Sequence, residues 1–311
     1  VIQEGFILPA TKLYQKGKLI ESVKEILLAN VRSKKEVWGD LQAQLAACLA
    51  AERGMIRLME KYDIEQVSEV TKELMNRTEK RFRRLIDEMI PDGEYVAEDY
   101  MDDDGHDKGP FKFKVKITKE TGKKLLVDFS GSDKQVKGPI NTPYADTLAS
   151  TSAGIIQVLD PHAQINQGFY RCLNVIAPKG SIVNPVYPAP LYSGNCDSAS
   201  RVNEVVLRAL SSAIPDRSAA SDVGTNNNMS LSGIDPRNKT PYVFFRYSKG
   251  GGGGRNSEDG CSHIGEISGT RAKDVPIEHT ERRYPIVFEK SEFLIDSGGV
   301  GKNRGGIGTI S

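Results

Sequence analysis

The sequence carries almost no net charge, few cysteines and no long apolar run. Lys plus Arg total 42 against 41 for Asp plus Glu, a formal balance of +1, which excludes the basic field expected of a nucleic-acid or anionic-membrane binder. The longest mostly apolar stretches, Leu41–Ala51 and Leu148–Leu159, fall well short of the about 20 apolar residues that span a bilayer, so no membrane association is expected. The cysteines Cys48, Cys172, Cys196 and Cys261 include no C-x-x-C pair, which argues against a redox motif and points to a reducing, cytoplasmic setting. Also missing are the Walker A spacing, a strand followed by G-x-G-x-x-G, and a H-E-x-x-H helix, so the usual signatures for nucleotide phosphates and catalytic zinc are absent.

What is present is ordinary globular composition, 38% hydrophobic and 27% charged, over 311 residues with a somewhat high 30 glycines. That length fits one large domain or two. After a looped opening, a short helix is expected over Leu19–Asn30. From Glu36 to Tyr62, apolar residues such as Val37, Leu41, Leu45 and Leu49 recur at three- and four-residue steps, the mark of an amphipathic helix. Asp63 can cap a second helix, in which Val67, Val70, Leu74, Phe82, Leu85 and Met89 repeat until Pro91 stops it. This helix pair is expected to pack against a partner or against the core, and residues 1–91 form the expected N-terminal segment.

Over residues 92–311 the pattern changes. Phe111, Phe113, Val115 and Ile117 alternate with lysines, and a Thr121-Gly122 turn leads into Lys123–Phe129, which predicts an antiparallel hairpin. The acidic run Met101–Gly105 is assigned to the preceding loop as a solvated turn, since it lacks the calcium-loop pattern. Helices are predicted over Ala145–Leu159 and Ala199–Ser212, and strands over Tyr170–Ile176, Pro241–Tyr247 and Arg283–Leu294. The fold class is therefore α+β: an amphipathic helix pair, antiparallel β hairpins, then a loop-rich mixed α/β region.

Candidate chemistry lies in the loops. Gly250–Gly254, flanked by Lys249 and Arg255, predicts a strained or flexible connection near a site rather than a nucleotide loop. Among His106, His162, His263 and His279, His263 is the candidate catalytic group, because it follows the glycine loop within Asp259-Gly260-Cys261-Ser262-His263. Cys196 and Cys261 lack an evident base. Asn195, Asn226, Asn227 and Asn228 offer donors and acceptors suited to an amide or imide ring, and equally suit turns. Glu278 and Glu281, one helical turn apart, could divide acid and base roles or pair with Arg282 and Arg283.

Taken in order, several segments resemble the B-type subunit of the hydantoinase/oxoprolinase family. They include Gln3-Glu4-Gly5-Phe6-Ile7-Leu8-Pro9, Asn30-Val31-Arg32, Gly39–Ala47, Asp128-Phe129-Ser130-Gly131-Ser132, and Gly138-Pro139-Ile140-Asn141. Gly194-Asn195, Gly224-Thr225-Asn226-Asn227, Gly251–Gly254, Asp259-Gly260, Tyr284-Pro285 and Ser297–Gly306 continue the series to the end. The resemblance implies an ATP-dependent cyclic amide hydrolase in which an A-type ATPase subunit, holding ATP and Mg, phosphorylates a small-molecule substrate. The B-type part then completes hydrolysis within a hetero-oligomer. It implies substrate-binding roles for Asn195, Asn226, Asn227, Asn228 and Gly251, Gly252, Gly253 and Gly254, with His263 catalytic. Related acetone and acetophenone carboxylases offer one alternative, and a noncatalytic scaffold another. The family's divalent metal (Zn, Mn or Fe) is expected on Asp and His motifs of an N-terminal part upstream of Gln3, so no metal ligands are assigned in this chain. Family members also continue past Gly305–Gly308, which leads to the expectation that the chain is a piece of a longer protein.

Overall fold

The computed structural model describes residues 6–266 and 273–310; Gln3, Glu4 and Gly5 of the opening motif lie outside them. The chain begins with a small hairpin, β1 (Tyr14–Gln15) and β2 (Lys18–Leu19), closed by Lys16 and Gly17 at positive φ. Three helices follow, α1 (Glu21–Ala29), α2 (Lys34–Tyr62) and α3 (Ile64–Met89). Asp63 separates the long pair and caps α3 by accepting the Gln66 amide at 2.8 Å. No residue of α2 is buried, whereas Phe82 and Ile86 of α3 are. The apolar stripe of the pair is thus covered only at one end: Leu49, Ile56, Val70 and Leu74 remain exposed.

A four-stranded sheet of order β3-β4-β5-β6 comes next, with β3 (Gly93–Asp103), β4 (Lys108–Lys119), β5 (Leu125–Asp128) and β6 (Leu173–Ile176). The first three pair antiparallel and β6 pairs parallel to β5. The predicted hairpin is β4 and β5. β3 replaces much of the predicted acidic loop: Tyr95, Ala97 and Met101 pack on the core, while Glu94 and Glu98 reach Lys116 and Lys114, both at 3.2 Å. The turn after it is solvated as expected at Asp103, Gly105, His106 and Asp107, but not at Asp104. Asp104 is 2% exposed and accepts the amides of Asp107, Gly138 and His106 at 2.6–2.8 Å. Burial alone would raise its pKa, but these amides outweigh it and hold the carboxyl below its ordinary value.

The core lies between this sheet, the C-terminal end of α3, α4 (Tyr144–Leu159), the short α5 (Gln167–Tyr170) and α6 (Ala199–Ser211). Phe113, Val115 and Ile117 of β4 meet Val202, Val205 and Val206 of α6 within one buried cluster. Gly154 lets α4 approach α6, since a Cβ there would stand 3.0 Å from Val206. Phe82 seats α3 edge-on against Phe169, with ring centroids 4.7 Å apart. Lys119, 2% exposed, adds a polar clamp to Asp92 at 2.7 Å and Asp87 at 3.3 Å. Of the predicted Tyr170–Ile176 strand, Tyr170 instead closes α5, which Asn166 caps by accepting the Gly168 amide at 2.8 Å, and Leu173–Ile176 form β6.

The remainder is loop-rich, as expected. It holds the hairpin of β7 (Asn228–Ile234) and β8 (Pro241–Tyr247), α7 (Ile277–Arg283), and the two-residue pair β9 (Glu292–Phe293) and β10 (Thr309–Ile310). The predicted strand over Arg283–Leu294 is not formed: Arg283 ends α7, and only residues 292–293 pair. Among the described residues, no helix is long and apolar enough to cross a membrane.

Phe82 and Leu49 separate the two ends of the helix pair energetically. Phe82→Ala is expected to lower the unfolding free energy by about 3–5 kcal/mol. Leu49→Ala, at a site 41% exposed, is expected to stay within about 0.5 kcal/mol, both read from urea unfolding of the purified chain.

Candidate functional site

Gly250–Gly254 is walled by backbone on both sides. The Gly250 amide donates to the Ile264 carbonyl at 2.8 Å and its carbonyl accepts from Ile264 at 2.9 Å. The Gly252 amide donates to Cys261 at 2.7 Å, the Gly252 carbonyl accepts from Gly306 at 2.9 Å, and the Gly254 carbonyl accepts from Ala220 at 2.9 Å. None of the five has a left-handed φ. Glycine is required for another reason. A Cβ on Gly251 would stand 1.8 Å from the Gly306 oxygen, and one on Gly253 would stand 1.7 Å from the Ala220 oxygen. The run is therefore neither a strained nor a flexible connection, as the composition suggested, but the middle layer of a backbone stack.

This stack forms one wall of a cavity of about 520 Å³. Its lining includes Gly250–Gly254, Lys249, Asp222, Asn227 and the glycine turn at Gly305 and Gly306. Lys249 is 6% exposed, and its ammonium lies 4.8 Å from the Tyr247 ring centroid. Among the described residues, the amides of Gly251, Gly253 and Gly254 have no hydrogen-bond partner. A cationic side chain and unspent amides in one cavity suit an anionic or carbonyl-bearing small molecule.

The asparagine candidates gather at the mouth of α6. Residues Gly194–Ser198 form a single wide turn of π-helix before it, an irregularity common at functional sites. Asp197 in that turn accepts the Thr225 hydroxyl at 2.6 Å and the Asn226 amide at 3.1 Å, so it fastens the 224–228 loop to the helix start. Asn226 and Asn228 each keep a buried side-chain oxygen with no hydrogen-bond partner. Asn227 takes φ +45° and lines the cavity, whereas Asn195 is exposed beside Cys196. Burial pushes the Cys196 thiol pKa up, against hydrogen bonds from Asn226 and Asn228. Ser200 bonds the fully buried Glu266 at 2.6 Å below this turn. Neither Asp197 nor Glu266 stands out in the sequence, since each acquires its role from a partner more than 25 residues away.

His263 is not among the residues that line the cavity. Its Nε2 lies 3.0 Å from Asp274 Oδ2, its ring meets Phe293 edge-on, and its amide donates to Ile307 at 3.2 Å. The ring is thus oriented by a carboxylate. Glu281 is structural: it accepts the Phe288 amide at 2.8 Å, while Arg283 approaches Glu36 at 3.8 Å. His279 and Arg283 line a second cavity of about 180 Å³ against the aromatic face of β8. Among the described residues, no group of three or more His, Cys, Asp or Glu could hold a metal ion.

The strongest electrostatic perturbation was missed by sequence reasoning altogether. Glu204 is 4% exposed on the inner face of α6, and burial pushes its pKa up to about 8 despite the Arg201 charge beside it. Helical spacing announces an inward-facing acidic residue only once the core face of α6 is known.

The hydantoinase B/oxoprolinase family model matches residues 1–311. The B-type subunit of a putative D-/L-hydantoinase from Pseudomonas sp. (strain NS671) is 32% identical, aligned over 99% of this chain and 52% of that protein. The crystal structure of the ATP-dependent caprolactamase from Pseudomonas jessenii superposes with a TM-score of 0.90 at 28% identity, covering 98% of this chain and 53% of that one. An acetone carboxylase in its nucleotide-free form shares the fold, with a TM-score of 0.85 at 19% identity over 96% of this chain and 42% of that one. The chain spans about half the length of the curated relatives it matches.

Two predictions test the site. Gly251→Ala and Gly253→Ala are each expected to cost about 3 kcal/mol of stability, whereas Gly299→Ala, with nothing within 4 Å of the added Cβ, stays within about 0.5 kcal/mol in thermal unfolding. The second concerns pH. A carboxyl whose folded pKa is raised from 4.5 to about 8 keeps its proton when folded and releases it on unfolding, so its contribution is fully present at low pH and is lost as pH rises through that window. The unfolding free energy of the wild type relative to Glu204→Gln is expected to fall by up to about 1 kcal/mol per pH unit there, measured by denaturant titration.

Proposed function

The chain belongs to the hydantoinase B/oxoprolinase family, and we propose from that premise that it supplies the reaction-completing part of an ATP-dependent cyclic amide hydrolase. The observation that carries this reading is the chain-long likeness, in sequence and in backbone, to the B-type component of a hydantoinase and to an ATP-dependent caprolactamase. An amide is inert because its nitrogen lone pair is delocalised into the carbonyl, which blunts attack by water, and because the nitrogen is a poor leaving group. ATP bound by an A-type partner subunit would supply a phosphoryl group that activates the carbonyl. This chain would then hold the ring, align water and receive the product.

The cavity divides that work among its residues. Asn227 and Gly251–Gly254 line it, so they are the contacts for the ring and its exocyclic oxygens, with the free amides of Gly251 and Gly253 as donors to a carbonyl or oxyanion. Lys249 places positive charge at the same wall. Asn195, Asn226 and Asn228 shape the mouth of α6 beside the cavity. His263, oriented by Asp274, is the candidate catalytic group, although it is not among the residues that line this cavity. Among the described residues no group of three or more His, Cys, Asp or Glu could hold a metal ion, so no metal ligand is assigned here. The assembly is a hetero-oligomer with the ATPase subunit, working in the cytoplasm on a small cyclic amide.

Turnover of this chain copurified with an A-type ATPase subunit tests the proposal. ATP-dependent ring opening of a lactam or hydantoin, with no label incorporated from bicarbonate, is the expected result. Incorporation of labelled bicarbonate into a ketone would replace it with a carboxylase reading. Stable assembly without turnover would leave the chain a scaffold.

A further inference from the structure

The cavity of about 180 Å³ lies where α7 covers the β7–β8 hairpin. Tyr242, Phe244 and Arg246 alternate along β8 and so share one of its faces. α7 and the stretch after it pack on that face. The Tyr284 ring centroid stands 5.3 Å from that of Phe244 and 6.3 Å from that of Tyr242, and the Arg246 guanidinium lies 4.6 Å from the Phe288 ring centroid. Phe244 is buried by this packing and Arg246 half-buried. His279 and Arg283, four residues apart and so on one side of α7, line the same cavity, as does Lys273 from the stretch that leads into the helix. These three are exposed and form its rim. Four basic side chains therefore meet at this cavity, and one carboxylate lines it with them. That carboxylate, Asp274, has its Oδ2 3.0 Å from His263 Nε2. Arg283 approaches Glu36 only to 3.8 Å, and Glu281 of α7 is spent on the Phe288 amide. The side chains of Arg246, Lys273 and His279 make no ion pair or hydrogen bond among the described residues. A guanidinium partly withdrawn from water without a counter-ion bears a desolvation cost that nothing offsets, and neighbouring cations add repulsion. An anion in the cavity relieves both.

The shape of the cavity narrows the class of anion. A planar guanidinium held flat on the Phe288 ring is preorganised for fork-like contact with a carboxylate. The Phe244 and Tyr284 rings beside it suit a flat apolar body. A volume of about 180 Å³ is roughly the share of six liquid waters, enough for one ring and short of the roughly 300 Å³ at which drug-sized sites begin. A nucleotide is thereby excluded. We propose that this cavity binds a small single-ring carboxylate, with its charge held by Arg246 and the rim cations and its ring laid against Phe244 and Tyr284. None of the residues that line it lines the cavity beside the glycine stack. The site is therefore separate from the one assigned above, and its occupancy does not depend on the cyclic-amide reading.

Fluorine NMR of para-fluorobenzoate titrated with the intact chain tests the proposal. The fluorine line is expected to broaden saturably, and para-fluorobenzamide, of the same shape without the charge, is expected to bind about tenfold more weakly. Arg246→Gln is expected to weaken para-fluorobenzoate binding about tenfold. Lys273→Gln, at an exposed position, is expected to weaken it about twofold and to melt like the wild type, which keeps the test decisive if Arg246→Gln does not fold. Absence of saturable broadening overturns the site. Equal affinity for the amide would leave an apolar crevice without charge recognition and overturns it as well. Wild-type affinity in folded Arg246→Gln, or in Lys273→Gln where Arg246→Gln does not fold, would place the probe elsewhere and has the same consequence. Displacement of the probe by inorganic phosphate at lower concentration than by benzoate would make phosphate the ligand and overturn the carboxylate assignment.

Discussion

Backbone packed against backbone, with no room for a Cβ, is the constraint on which the second half of this protein depends. Gly251 against Gly306, Gly253 against Ala220, and Gly260 against Gly252 bring segments 219–220, 250–264 and 304–308 into one stack. Hydrogen bonds alone could join such segments at sheet spacing, but here Gly251 and Gly253 lie too close to their neighbours for a Cβ, while Gly250, Gly252 and Gly254 spend amides or carbonyls on different segments. The consequence is a wall made of main chain. Such a wall presents amides without side-chain entropy and keeps its shape without a hydrophobic core beneath it.

The first half is held by ordinary means. Sheet, α4, α6 and the end of α3 share a single apolar cluster, and the buried charges within reach of it are paired. Lys119 illustrates the rule: burial would lower its pKa, yet Asp92 and Asp87 outweigh this and keep it charged. Glu204 meets the rule only in part, with Arg201 Nη2 at 2.5 Å from its Oε2. Its nearest cation is shared with Asp99, and its other neighbour is a second carboxyl. Because α6 belongs to the core on one side and meets the Gly224 turn on the other, this anomaly lies where the stable part of the molecule meets the loops that line the cavity.

Much of the architecture was legible along the chain. α2, α3, α4 and α6 follow from apolar repeats, and β4 with β5 from alternation around a Thr-Gly turn. β3 was not, because its outward residues are Glu94 and Glu98, which make an acidic segment unless their lysine partners across the sheet are known. Asp104 escaped for the same reason, being neutralised by amides as distant as Gly138. The stretch after Arg283 has strand-like residues but no neighbour to pair with over most of its length. In the site, Asn227 and Gly251–Gly254 were picked out by composition and do line the cavity, while His263 was picked out by proximity in sequence and is not among the lining residues.

The sequence by itself determined the helix pair, the hairpin, the α+β class and, through ordered motifs spread over the chain, the family. These are local or additive signals, carried by period, turn chemistry and spacing. Only the tertiary structure decided why five glycines stand in a row, which carboxyl is buried beside a shared guanidinium, and which loop Asp197 fastens to α6. Each of those depends on an atom brought close from a distant segment, and proximity of that kind has no period for a sequence to display.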